Sequence, residues 1–156
     1  MLFDIFIQED TIRISTSSVS EQVFGVLSIS IDNIWFFPEK TWDDFILIVL
    51  EWWSNEALKV IWDQEAEFFF MDGGFFFKIN PDSNNINGIN IIFFHNNVEV
   101  KNINIDKIDF LSSIKKALNL ILRHLVCIGY NKNKSYNTIM VNFQLICQYI
   151  KSKKKT

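Results

Sequence analysis

Two histidines, two cysteines and a scattering of carboxylates are the side chains of this 156-residue chain that could do chemistry. His95 precedes a polar turn and His124 follows Arg123 late in a helical stretch; neither has a neighbouring His, Asp or Glu at metal-ligand spacing. Cys127 and Cys147 lie on apolar helical stripes, the setting of buried reduced thiols rather than of a nucleophile held beside a base. The chain has no H-E-x-x-H, C-x-x-C, G-x-S-x-G or P-loop pattern. Asp72 is followed by Gly73, which marks a turn aspartate before an active-site acid. The expectation is no catalytic residue, no metal, no cofactor and no enzymatic activity.

The carboxylates suit another task. Asp43, Asp44, Asp63, Glu65 and Glu67 surround a Trp-rich stretch, and nothing among them resembles a calcium loop. Acids of one sign on a surface steer a basic partner and oppose wrong ones. Trp62 lies beyond a helical run and next to Asp63, so it is the tryptophan expected to be exposed, and exposed aromatics anchor interfaces. Glu39, Asp43, Trp62, Asp63, Glu65 and Glu67 form the expected partner-binding set. Two other classes compete. One is a small-ligand-binding or enzymatic domain that uses the Trp-rich region as a pocket. The other binds nucleic acid through Lys115, Lys116, Lys132, Lys134 and the basic end, against which stand the net charge of −3 and only two Arg.

The charge is unevenly spread. Residues 1–72 carry 14 acidic side chains against Arg13, Lys40 and Lys59, a balance of −11. Residues 73–156 carry four acids against 12 bases, a balance of +8. Such asymmetry reports either on partners or on halves that neutralise each other in the fold. Length suits one domain, residues 1–150 followed by a basic tail at 151–156, and a chain this long buries roughly 70% of its unfolded surface. Asp4 interrupts the first apolar stretch, and the longest uncharged apolar run, Phe45 to Leu50, is too short to span a bilayer. The expectation is a soluble cytoplasmic protein that binds no membrane. Ile, Asn, Phe and Lys are abundant and have AT-rich codons, so the Asn pairs carry no functional weight.

The elements that must position these residues follow from periodicity. Leu2–Ile7 and Thr11–Thr16 alternate as strands about a turn at Gln8-Glu9-Asp10, with a loop at Ser17–Ser20. Val23–Ile31 and Ile34–Phe37 continue a sheet until Pro38. Thr41 is the expected cap of a helix that ends near Glu56, with Trp42, Trp52 and Trp53 mostly in the core. Glu65–Met71 and Gly74–Ile79 flank Asp72-Gly73 as a hairpin with a two-residue turn of positive φ. Ile89–Phe94 and Val98–Ile105 pair about Asn96-Asn97. A helix opens at Asp106 and Asp109 with the stripe Ile108, Leu111, Ile114, Leu118, Leu122, Leu125, and Gly129 suits its end. Tyr136, Met140, Phe143, Cys147 and Ile150 mark a last helix, although Val141, Phe143 and Leu145 also fit a strand. The fold class is therefore α+β, a largely antiparallel sheet of six to eight strands with two or three helices.

Within this order, the run Phe36-Phe37-Pro38-Glu39, then Trp42-Asp43-Asp44-Phe45, Trp52-Trp53 and Met71-Asp72-Gly73 resembles small bacterial immunity proteins of polymorphic toxin and contact-dependent growth-inhibition systems. The likeness covers roughly residues 25–79 and carries no catalytic residue over. It implies a cytoplasmic protein that binds a cognate toxin domain, a nuclease being the natural match for an acidic face, and blocks it by stoichiometric protein–protein inhibition.

Overall fold

The computed structural model describes residues 1–16 and 21–154; the expected loop at 17–20 and the last two residues lie outside them. Its elements are strands β1 (Phe3–Thr16), β2 (Glu21–Ile31), β3 (Trp35–Phe37) and β4 (Asp43–Asp44), helix α1 (Ile46–Ile61), strands β5 (Ala66–Phe69), β6 (Phe75–Pro81), β7 (Gly88–His95) and β8 (Val98–Asp106), and helices α2 (Lys107–Cys127) and α3 (Lys134–Lys154). The class is α+β, with the strands divided into two antiparallel four-stranded sheets. In the first, β2 pairs β1 on one side and both β3 and β4 on the other; the second runs β5-β6-β7-β8. Helix α1 packs against β2 and against β5–β6, α2 against β1 and β8, and α3 across α1 and α2.

Several elements differ from their sequence reading, each for a local reason. Residues 3–16 form one strand, not a hairpin. Gln8 faces Val26 and Arg13 faces Phe24, so four residues bulge opposite Gly25. The Thr11 hydroxyl donates to the Gln8 carbonyl at 2.6 Å and accepts the Val26 N–H at 2.9 Å, replacing the missing ladder partner. Gly25 makes room: a Cβ there would lie 3.2 Å from Ile12 and 3.3 Å from Ile46.

Thr41 caps nothing. Helix α1 starts at Ile46 after Phe45 without any side-chain cap, and it runs on past Glu56 to Ile61. The preceding residues are held by β2 instead: Trp42 O accepts the Leu27 N–H at 2.9 Å, and Asp43 and Asp44 pair with Val26 and Gly25. This places the Asp44 carboxylate, 4% exposed, at the junction of the two sheets. It accepts the Phe45 N–H at 2.7 Å, the Trp42 indole N–H at 2.9 Å and the Met71 N–H at 3.2 Å. A buried charge persists when several donors replace its water, and here the donors come from the helix start and from the far hairpin.

Aromatic rings close the same junction. Phe37 of β3 meets Phe70, Phe75 and Phe93 at 5.9, 5.8 and 5.1 Å, mostly edge to face. Trp53, fully buried on α1, packs on Phe70 and Phe77, and its indole N–H donates to the Phe69 carbonyl at 2.8 Å. Side chains hold outward backbone groups of β5 and its end: Glu56 accepts the Glu67 N–H at 2.9 Å, Trp53 donates to the Phe69 carbonyl and Asp44 accepts the Met71 N–H. Edge strands left open invite foreign pairing.

The β5–β6 turn spans Met71–Gly74. The Phe75 N–H donates to the Asp72 carbonyl at 3.0 Å, Asp72 Oδ1 accepts the Gly74 N–H at 3.1 Å, and neither glycine has positive φ. Successive positive φ values occur instead at Asn96 (51°) and Asn97 (65°) between β7 and β8, and at Asp32 (54°) and Asn33 (56°) between β2 and β3. Helix α2 ends as its sequence suggests: Gly129 has φ of 73°, its N–H bonds the Val126 carbonyl, and the Tyr130 N–H bonds Leu125. Phe110 and Ile121 are buried on its stripe, while Ile108 is only half-buried. The last apolar segment is helical, with Ile139, Asn142, Ile146 and Ile150 inward, and the basic residues 151–154 continue α3 instead of forming a tail. Cys127, the last residue of α2, is exposed rather than buried, and Cys147 is half-buried.

Asp44→Ala should lower unfolding free energy by about 3 kcal/mol, since it strands the Trp42 and Met71 donors together. Thr41→Ala should leave the urea midpoint at the wild-type value. Equal midpoints for the two variants would refute the assignment of the junction to Asp44.

Candidate functional site

Two periodicities meet on one face. On α1, Trp52, Asn55, Glu56 and Lys59 recur at steps of three and four and share one side of the helix. Along β5 and its flanks, Glu65, Glu67 and Phe69 recur at steps of two. These seven residues line an open groove of about 470 Å³. Trp52 and Phe69 also line an adjoining apolar cleft of about 380 Å³ with Phe70, Met71 and Gly73. The result is one continuous surface, acidic at the Glu65–Glu67 end and apolar at the Met71 end. Trp52 is 41% exposed and Met71 36%.

Phe69 is the first ring of a cross-strand ladder on the outer sheet face. It stacks on Phe76 at 4.8 Å, and Phe76 stacks on Phe94 at 5.0 Å, following the register of β5, β6 and β7. The cations beside the groove's glutamates come from the chain itself, Lys59 in the lining and Lys78 next to it. Lys59 Nζ lies 2.8 Å from Glu56, and this hydrogen bond, then the charge of Glu56, raise the Lys59 pKa above its ordinary value. Lys78 Nζ lies 3.8 Å from both Glu65 and Glu67, and 5.8 Å from the centre of the Phe94 ring. Contacts that long, on exposed side chains, are weak.

The six residues expected to bind a partner do not form one patch. Glu65 and Glu67 share the groove. Trp62 is 74% exposed at the C-terminal cap of α1, but it lines a different cleft of about 340 Å³ with Leu58, Ile61, Leu145, Gln148 and Tyr149. Asp63, at φ of 57°, pairs with the buried Lys107 and borders a third cleft. Asp43 is on β4 and holds Arg13 through two bonds of 2.9 and 2.7 Å, which raise the Arg13 pKa. Glu39 is exposed in the loop before β4. Neither Glu39 nor Asp43 lines any of these clefts.

Trp52 is the residue that sequence reading assigned to the core. It precedes Trp53 by one residue, about 100° of helical rotation, so burying Trp53 turns Trp52 outward. The alternation Glu65, Glu67, Phe69 was the available signal. Part of the segregated charge is folded together: Asp4 meets Lys116, Asp63 meets Lys107, Glu65 and Glu67 meet Lys78, and Glu9 lies 3.5 Å from His124. His95 stacks on Phe75 at 4.1 Å. Among the described residues no group of three or more His, Cys, Asp or Glu is placed to hold a metal, and no helix is long and apolar enough to cross a membrane.

Trp52→Ala should cost less than about 1 kcal/mol of stability, whereas Trp53→Ala should cost about 3–5 kcal/mol; urea unfolding of the two variants separates surface ring from core ring. No protein-family model, curated protein or solved structure matches the chain.

Proposed function

We propose that this protein is an immunity protein that neutralises a bacterial toxin domain by forming a stoichiometric complex with it. The observation that carries the reading is the groove between α1 and β5, where a half-exposed tryptophan and a phenylalanine stand beside three glutamates. Partly exposed aromatics in shallow apolar clefts supply most of the affinity of protein interfaces, and carboxylates at the rim supply steering and selectivity. The groove is the proposed docking face. The immunity-like residue pattern at 25–79 supports the same reading, since it contains Trp52, Glu65, Glu67 and Phe69. A nuclease toxin, whose substrate groove is basic, is the proposed class of partner. The proposed place of action is the cytoplasm.

The test is co-expression with bacterial nuclease toxin domains, beginning with any encoded beside this chain's own gene. Growth rescue together with a one-to-one complex on gel filtration is the expected result; toxicity without rescue and without complex would sink the reading. Within the complex, Trp52→Ala should speed dissociation about 30-fold, the kinetic form of a loss near 2 kcal/mol. Glu65→Lys with Glu67→Lys should instead slow association at low salt, and the difference should shrink at high salt.

A further inference from the structure

We infer that Lys78 is an internal stand-in for a cationic side chain of the partner. This rests on the reading of the groove as the docking face. Glu67 on β5 and Glu65 just before it are two positions apart, and Lys78 sits across the pair at 3.8 Å from each carboxylate. Its ammonium is thus shared between two acceptors and held closely by neither. In the same position its Nζ lies 5.8 Å from the centre of the Phe94 ring, a contact that does not depend on either carboxylate. The planar fork of a guanidinium satisfies carboxylate oxygens better than a distant ammonium does.

The other end of the surface fixes the rest of the partner's chemistry. Trp52, Phe69 and Met71 offer an apolar seat, and Met71 is four positions beyond Glu67, about 13 Å at the rise of an extended chain. The occupant is therefore a protein segment carrying an arginine and, about the same distance away, an apolar side chain. Side chains of Glu56 and Trp53 hold the Glu67 N–H and the Phe69 carbonyl of β5, and Asp44 holds the Met71 N–H just beyond it, so such a segment docks through side chains and not as an added strand.

The probe is a capped extended peptide in which an arginine and a leucine are four residues apart in a Gly-Ser background. Its controls carry citrulline for arginine or serine for leucine. Binding is read from the Trp52 indole N–H and Met71 methyl resonances, with the Trp62 indole as internal reference. The arginine peptide should shift Trp52 and Met71 saturably and leave Trp62 in place, and each control should bind more weakly. Lys78→Met and Lys78→Gln should bind the arginine peptide about two- to fivefold more tightly, the size expected when a surface ion pair no longer competes. Lys132→Met removes the same charge from the exposed α2–α3 connection and should change affinity far less. Glu65→Gln with Glu67→Gln should abolish the preference over citrulline. No saturable shift at Trp52, a shift centred on Trp62, or equal effects of Lys78→Met and Lys132→Met would overturn the inference. The assay contains no toxin, so its failure leaves the rescue experiment standing, and a failed rescue leaves this measurement intact.

Discussion

The Asp44 carboxylate is the contact on which the arrangement of the two sheets depends. It lies on a two-residue strand of the first sheet, adjoins the N-terminal end of α1 and accepts an N–H from the turn of the second sheet. The position suits a negative charge twice over. A helix N-terminus presents unpaired donors and the positive end of its dipole, and the Trp42 indole adds a third donor that water would otherwise have to supply. The aromatic cluster around Phe37 fills the space that this charge frames. Rings alone would pack in many similar ways; a buried carboxylate with directed donors selects one.

The groove follows from that junction. Once Met71 is tied to Asp44 and Phe69 to Trp53, β5 is clamped against α1 and its alternate side chains must turn outward beside Trp52. Burial of Trp53 and exposure of Trp52 are two results of one helical rotation. The acids and rings of the groove are thereby fixed by core contacts on the opposite sides of the same two elements, which pre-organises the surface.

Much of the fold was legible because period decides it. The strands of the second sheet, the helix at 107–127 with its Gly129 ending and the α+β class all follow from alternation, stripe and turn residues. The misreadings lie where a tertiary partner overrode a local signal. Gln8-Glu9-Asp10 reads as a turn, but the Thr11 hydroxyl and the bare backbone of Gly25 let the strand continue through it. Thr41 reads as a cap, but pairing of residues 42–44 with β2 moves the helix start to Ile46. Asp72-Gly73 reads as a two-residue turn, but the Asp72 side chain holds a wider one. The candidate site was legible in part. Glu65 and Glu67 were found from composition, whereas Trp52, Phe69, Met71 and Lys78 required knowing which side of α1 faces the core.

The side-chain closure of the β5 edge separates what the chain must keep from what it is free to change. Residues that hold the strand in place, Asp44, Trp53 and Glu56, touch backbone atoms and so tolerate almost any outward neighbour. The outward positions 52, 65, 67, 69 and 71 can then diversify together without unfolding the scaffold. A lineage facing a succession of different antagonists could rewrite those few letters while its architecture stood still.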